Sequence, residues 1–181
     1  VAFSKAGHAN SFLGNFDAAR KNFQDARAVS EFGLNSYNFE AFTYLYEEDP
    51  KKALAFLENA AQAVNQMDIP ESNKTGTKMN CAFNCAMIAM HHGDVEHLNE
   101  VVELMKPLFN QFGKDIGSKG AITNQKVNAL YWDAIASAAA ENYDEALAKA
   151  EIIKSTLATI NDPNKLRPYH SLLAFVNYKQ E

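Results

Sequence analysis

The chain has 181 residues, of which 47% are hydrophobic, so it is long enough to bury a core and does not resemble a disordered tail. Its net charge of −5, without a dense block of Lys or Arg, argues against nucleic acid as a partner, because phosphate binding needs a basic surface. No apolar run approaches the roughly 20 residues that cross a bilayer, so no membrane partner is expected.

Two segments near the start of the chain share one residue pattern. Residues 14–26 align with residues 48–60, so that Ala19 and Ala53 are 34 positions apart. The pattern returns around Leu98 and around Ala146, with longer spacings. The 34-residue period of the first two copies indicates tandem repeats of a helical hairpin.

The residues between the two helices of each hairpin are typical of helix ends. Gly14 and Gly93 can take the left-handed conformation that closes a helix. Pro50 suits the first position of a helix, where no N–H is needed. The residues that follow Gly14, Glu48, Gly93 and Glu141 accept hydrogen bonds from a new helix, and this predicts four N-caps: Asn15, Asp49, Asp94 and Asn142.

These signals predict an all-α chain without strands. The first helices of the hairpins are expected at 2–13, 35–47, 77–92, 122–140 and 167–180, and the second helices at 16–31, 50–66, 95–112 and 143–160. The polar segments 68–77 and 113–120 contain Pro and several Gly residues, which predicts that they are loops.

Small residues lie twelve positions before each anchor of the pattern. They are expected to let the two helices of a hairpin approach closely, and they are Gly7, Ala41, Ala86 and Ala134, with Ala174 at the matching place of the last helix. Ala19, Ala53 and Ala146 face them from the second helices.

This combination of small residue, capped turn, aromatic or Pro, and spaced alanines resembles the tetratricopeptide repeat. The resemblance implies an α-α superhelix, a right-handed solenoid of about four repeats with a terminal helix, forming one array over residues 1–181. The repeats would be 1–34, 35–76, 77–121 and 122–162, followed by the helix 166–181. It further implies a protein-protein interaction scaffold that binds a peptide or protein in a concave groove formed by the first helices.

Projection of the first helices gives the side chains expected to face that groove. They are Asn35, Asn38, Phe42, Tyr46, Asn80, Phe83, Asn84, Met87, Asn128, Tyr131 and Trp132. Asn35, Asn80 and Asn128 share one repeat position, which suggests a ladder of amides able to bond a peptide backbone. The alternative is that Asn merely tolerates helix starts and that the aromatic residues pack between helices.

A metal site and a catalytic site both have little support in the sequence. His91, His92, Asp94 and His97 are plausible zinc ligands by residue type, but they straddle a helix end and should point apart, so no metal site is expected. No catalytic residues are identified, no cofactor is expected, and an enzyme is not predicted.

The sequence carries only a weak indication of the cellular location of the protein. Cys81 and Cys85 lie four residues apart on one helical face, where they suit a buried core better than a mutual disulfide, and this favours a cytoplasmic location. Both chain ends fall inside a repeat, so a fragment of a longer array is expected. The alternative function is therefore a sensory or regulatory segment of a multidomain transcription regulator or signalling protein.

Overall fold

The computed structural model describes residues 2–29, 34–158 and 160–180. Within those ranges it contains nine α-helices and no strand. The helices are α1 Ala2–Phe12, α2 Phe16–Val29, α3 Ser36–Tyr46, α4 Pro50–Ala63, α5 Glu71–His92, α6 Val95–Ile116, α7 Lys119–Ala139, α8 Tyr143–Leu157 and α9 Arg167–Gln180. The all-α prediction is confirmed.

The chain divides into two compact units, Val1–Ile88 and Ala89–Glu181. Within the first, α1 packs on α2 and α3, while α3 packs on α2 and α4. Within the second, α7 packs on α6, α8 and α9, and α9 also packs on α8. Most of these contacts join helices that are neighbours in chain order, as expected for consecutive hairpins.

Four turns share one backbone geometry. Gly14 and Gly93 have φ of 76° and 70°, and the matching residues Glu48 and Glu141 have φ of 59° and 63°. In each turn this residue donates its N–H three residues back, and the next donates five residues back, as Asn15 does to Asn10 at 2.9 Å. This is the Schellman motif, and it confirms the left-handed glycines predicted from sequence.

The predicted N-caps are confirmed in part. Asp49 accepts from the Lys52 N–H at 2.9 Å, and Asp94 accepts from the His97 N–H at 3.1 Å. Asn142 is the N-cap residue of α8 as predicted, but its side chain makes no capping hydrogen bond. Its backbone oxygen still receives the Ala146 N–H at 3.1 Å, and the helix begins on backbone bonds.

Small residues form the contact surface of the hairpins. Ala19, Ala41 and Ala53 are fully buried in the first unit, and Ala134 and Ala146 are fully buried in the second. Large side chains complete the two cores, namely Phe23, Leu57 and Val64 in the first unit and Leu98, Met105, Ile153 and Leu172 in the second. Ala174 is exposed, so its assignment to the small-residue position is wrong, and Leu172 and Val176 are the residues that α9 buries.

Both predicted loops are largely helical. Helix α5 begins at Glu71 rather than at 77, because the Pro70 carbonyl already receives the N–H groups of Asn73 and Lys74. Helix α6 runs to Ile116 and ends at Gly117, whose φ is 76°. Ser118 caps α7 by accepting from the Ala121 N–H at 3.1 Å, so the loop is two residues long.

Gly113 explains the second error. It is buried within α6, and a Cβ there would lie 3.2 Å from the Cα of Ile122 on α7. A glycine that permits close helix packing therefore resembled, in the sequence, a glycine that ends a helix.

The remaining boundaries differ little from prediction. Helix α4 ends at Ala63 and continues as a 3-10 turn, Val64–Gln66, up to the predicted end. The predicted end of α2 at residue 31 lies outside the described residues. Among the residues that the structure describes, no helix combines the length and apolarity needed to cross a membrane.

Candidate functional site

Asparagine side chains cluster on α3 and α5 in the first unit. Asn35 precedes α3, is exposed, and uses no side-chain atom to cap that helix. The Asn80 Nδ2 on α5 donates to the Asn35 Oδ1 across 3.5 Å, which is at the outer limit of a hydrogen bond. The structure therefore brings together two of the three predicted ladder positions through a weak contact.

Neighbouring amides on the same two helices differ in their hydrogen bonding. The Asn84 Nδ2 donates to the backbone oxygen of Asn80 at 2.8 Å. On α3, the Asn38 Oδ1 is buried and has no hydrogen-bond partner. Such a buried acceptor is costly to leave unsatisfied.

Aromatic side chains lie on the same helices. Phe42 is half-buried, and Phe83 on α5 is 41% exposed. Tyr46, at the end of α3, is 60% exposed and stacks on Phe16 with ring centroids 6.1 Å apart. Met87 on α5 is half-buried. Partly exposed aromatic and methionine side chains are typical of interface surfaces.

The second unit holds the last three predicted groove residues. Asn128 is exposed, and its Nδ2 donates to the Gln125 Oε1 at 3.2 Å. Tyr131 is half-buried, and burial raises the pKa of its hydroxyl. Trp132 is 5% exposed and meets the Tyr131 ring edge-on, with centroids 6.0 Å apart, so it belongs to the core of this unit.

The histidine-rich turn also lies in the second unit. The Asp94 carboxylate is engaged as the α6 N-cap, as expected. His91 and His92 are exposed at the end of α5, and the His97 Nδ1 lies 3.9 Å from Glu100. No three His, Cys, Asp or Glu side chains in the described part of the chain are grouped to hold a metal ion.

A shallow cleft of about 200 Å³ lies next to this turn. Its walls come from the start of α6 and the last turns of α5, α7 and α9, and its side chains include Met90, His91, Leu98, Phe175, Tyr178 and Lys179. The cleft is lined by both polar and apolar side chains.

The structure also contains a polar junction between α2 and α3 that the sequence analysis missed. Glu40 on α3 is 1% exposed, and its carboxylate receives the Arg27 Nη2 at 2.5 Å and the Gln24 Nε2 at 3.0 Å. Arg27 also donates to the Ser36 Oγ at 3.3 Å and lies 4.2 Å above the Tyr37 ring. The Glu40 carboxylate is therefore almost inaccessible to water, and it accepts hydrogen bonds from one charged donor and one neutral donor.

The same junction continues towards the exposed ends of the two helices. Arg20 on α2 donates to Thr43 on α3 at 3.1 Å and to Glu47, the residue after α3, at 2.7 Å, and it also pairs with Asp17. Burial opposes the charged form of Arg20, but the hydrogen bonds that Arg20 donates to Glu47 and Asp17 outweigh it and raise the pKa of the guanidinium.

A second polar junction joins three helices of the other unit. Asp133 on α7 pairs with Lys106 on α6 at 2.8 Å and with Lys149 on α8 at 2.7 Å. Burial works to raise the pKa of Asp133, but hydrogen bonds from the two lysines outweigh it and hold that pKa below its usual value. Burial works to lower the pKa values of the lysines, and bonds to Asp133 raise them instead.

Comparison with known proteins adds no assignment for these surfaces. No family model matches the chain, and neither the curated proteins nor the solved structures gave a match. Functional inference therefore depends on the repeated hairpins and on the side chains that they leave exposed.

Proposed function

We propose that this chain is a protein-protein interaction scaffold of the tetratricopeptide type. Its hairpins would stack as a right-handed superhelix, and its first helices would form a concave wall that binds a peptide or protein segment. The observation that carries the proposal is the Schellman turn repeated at four matching positions, because tandem hairpins are the units from which helical repeat arrays are built.

The amide pair on α3 and α5 supports an extended peptide as the ligand. Asn35 and Asn80 each carry a donor and an acceptor, which matches the alternating N–H and C=O groups of a peptide backbone. The contact between the two side chains is 3.5 Å long and therefore weak. Breaking it so that both side chains can bond to a peptide group would cost little free energy.

The adjoining aromatic side chains support recognition of apolar groups on that peptide. Phe42 and Phe83 are partly exposed, and burying them against a ligand removes apolar surface from water. In the second unit, Asn128 and Tyr131 are proposed as contacts of the same kind. Trp132 is left out of the proposed surface because it is already buried.

A peptide-selection experiment tests this function. Peptides enriched from a random library by the wild-type protein are measured by fluorescence anisotropy against a double variant, Asn35→Ala/Asn80→Ala. Loss of two hydrogen bonds should weaken binding by about 10-fold to 30-fold. The matched control is Asn59→Ala, which removes an exposed amide from the second helix α4 and should leave affinity unchanged.

Two results would contradict the proposal. One is the absence of any enriched peptide. The other is equal affinity of the wild type and the double variant, because that would remove the first-helix amides from the binding surface.

A further inference from the structure

The two polar junctions occupy the same positions of the repeat. Arg27 follows Ala19 by eight residues, and Lys106 follows Leu98 by eight residues. Their partners also match, since Glu40 and Asp133 each come directly before the small residue of a first helix, Ala41 or Ala134. In each case a cation on a second helix meets a carboxylate on the first helix of the next hairpin.

The hairpin junction between these two is different at both positions. Eight residues after Ala53 stands Ala61, and directly before Ala86 stands Cys85. Cys85 is buried, and burial raises the pKa of its thiol to about 12, so it is a neutral group at ordinary pH. The residues at these two repeat positions are therefore charged at the first and third hairpin junctions and uncharged at the second.

We infer that this pair of positions restricts which hairpins stack on each other, with the ion pairs permitting the native neighbours and rejecting placement of a charged position against the uncharged junction. The inference concerns assembly of the array and stands apart from what the array binds. If the hairpin ending in α2 were placed against α5, Arg27 would meet Cys85 in place of Glu40. Glu40 would equally meet Ala61 if α3 were stacked on the α4 of a second molecule. Each error would bury a charge without a partner, which carries a large desolvation penalty.

The Arg27–Glu40 pair can discriminate between neighbours because both of its charged groups are largely buried. Glu40 is 1% exposed, and the side chain of Arg27 is 13% exposed, so neither charge is well solvated in the folded protein. Hairpins joined only by alanine, leucine and valine would have no comparable means of distinguishing one neighbour from another, since apolar contacts are non-directional. A buried polar contact that fixes register is the best-attested use of such groups.

The test compares three variants with the wild type by urea unfolding, amide NMR spectra and size-exclusion chromatography. Glu40→Leu strands Arg27 and should lower the urea midpoint by about 1 M. Arg27→Leu/Glu40→Leu should recover most of that midpoint, yet show additional amide signals and more oligomer than the wild type, because wrong hairpins can now stack. Lys21→Ala/Asp25→Ala removes an exposed ion pair within α2 and should change neither the number of amide signals nor the oligomer fraction.

Three results would overturn the inference. An unchanged midpoint for Glu40→Leu would mean that the charges are not desolvated. A double variant with one set of amide signals and the oligomeric state of the wild type would mean that neighbours are selected by other contacts. Should the double variant fail to fold, Arg27→Gln/Glu40→Gln is measured in its place, and its failure to fold as well would assign the pair to stability instead of selection.

Discussion

Gly7 on α1 faces Phe23 on α2 so closely that a Cβ on Gly7 would lie 2.5 Å from the Phe23 Cε1. Phe23 is fully buried, and its ring also contacts His8 and Phe39. The ring therefore has no free space into which it can move. The absence of one side chain thus sets the distance between the two helices of the first hairpin.

We expect Gly7→Ala to lower the free energy of unfolding by about 1–3 kcal/mol, because the added methyl group overpacks the Phe23 site. Gly120 is the matched control, since it also lies in a helix but nothing lies within 4 Å of its added Cβ. Gly120→Ala should be neutral or stabilise by up to about 1 kcal/mol through helix propensity. Urea unfolding followed by circular dichroism measures both. Equal effects of the two substitutions would show that the contact with Phe23 does not limit packing.

The four Schellman turns give a second prediction. Glu48 and Glu141 occupy left-handed conformations that their side chains disfavour, whereas Gly14 and Gly93 hold the same place without strain. We expect Glu48→Gly and Glu141→Gly each to stabilise the protein by about 0.5–1 kcal/mol, after allowance for the extra freedom of glycine in the unfolded chain. Gly14→Ala should destabilise by a similar amount. Thermal unfolding of the three variants checks the signs, and a loss of stability in both Glu→Gly variants would be inconsistent with backbone strain.

The sequence predicted the hairpins well because their determinants are local. A turn residue that must adopt positive φ, followed by an acceptor such as Asp49, marks a helix boundary within a few residues. The helix pairs and the buried alanines then follow from the repeat period. The two wrong loops, 68–77 and 113–120, arose because a glycine such as Gly113 has the same appearance whether it ends a helix or packs against one.

The candidate site was harder to predict because exposure depends on neighbouring elements. Projection of α7 placed Trp132 beside Asn128 on the groove face, but Trp132 is 5% exposed. The Arg27 to Glu40 and Lys106 to Asp133 pairs were missed, although complementary charges at matching repeat positions are visible in the sequence. Such pairs become apparent only when the second helix of one hairpin is compared with the first helix of the next hairpin.

Cys81 and Cys85 are expected to be inert in the folded protein. Both are free and buried, and burial raises the pKa of each thiol to about 12. At pH 8 roughly one thiol in ten thousand would then be ionised, and the thiolate is the reactive form. An aromatic disulfide reagent should label neither cysteine of the native protein within minutes and both after unfolding in urea. Rapid labelling of one thiol under native conditions would contradict the burial of that side chain.

Asp133 should make stability depend on pH in the acid range. Its folded pKa lies below the unfolded value of about 4, because hydrogen bonds from Lys106 and Lys149 overcome the effect of burial. The carboxylate therefore adds stability above about pH 4, and this contribution is lost as the pH falls through the folded pKa. Asp133→Asn should accordingly lower the free energy of unfolding by about 1.5–3 kcal/mol at neutral pH, as for a hydrogen-bonded charged group.

The pH dependence separates the loss of this charge from a general packing defect. The difference in stability between the wild type and Asp133→Asn should shrink as the pH is lowered from neutral, because the wild-type carboxyl then becomes neutral too. Asp68→Asn, at an exposed position, serves as the matched control and should show little difference at any pH. Urea midpoints measured over the acid range give both curves. A difference for Asp133→Asn that stays constant with pH would mean that the substituted side chain disturbs packing, and that the bridge between α6 and α8 contributes little through its charge.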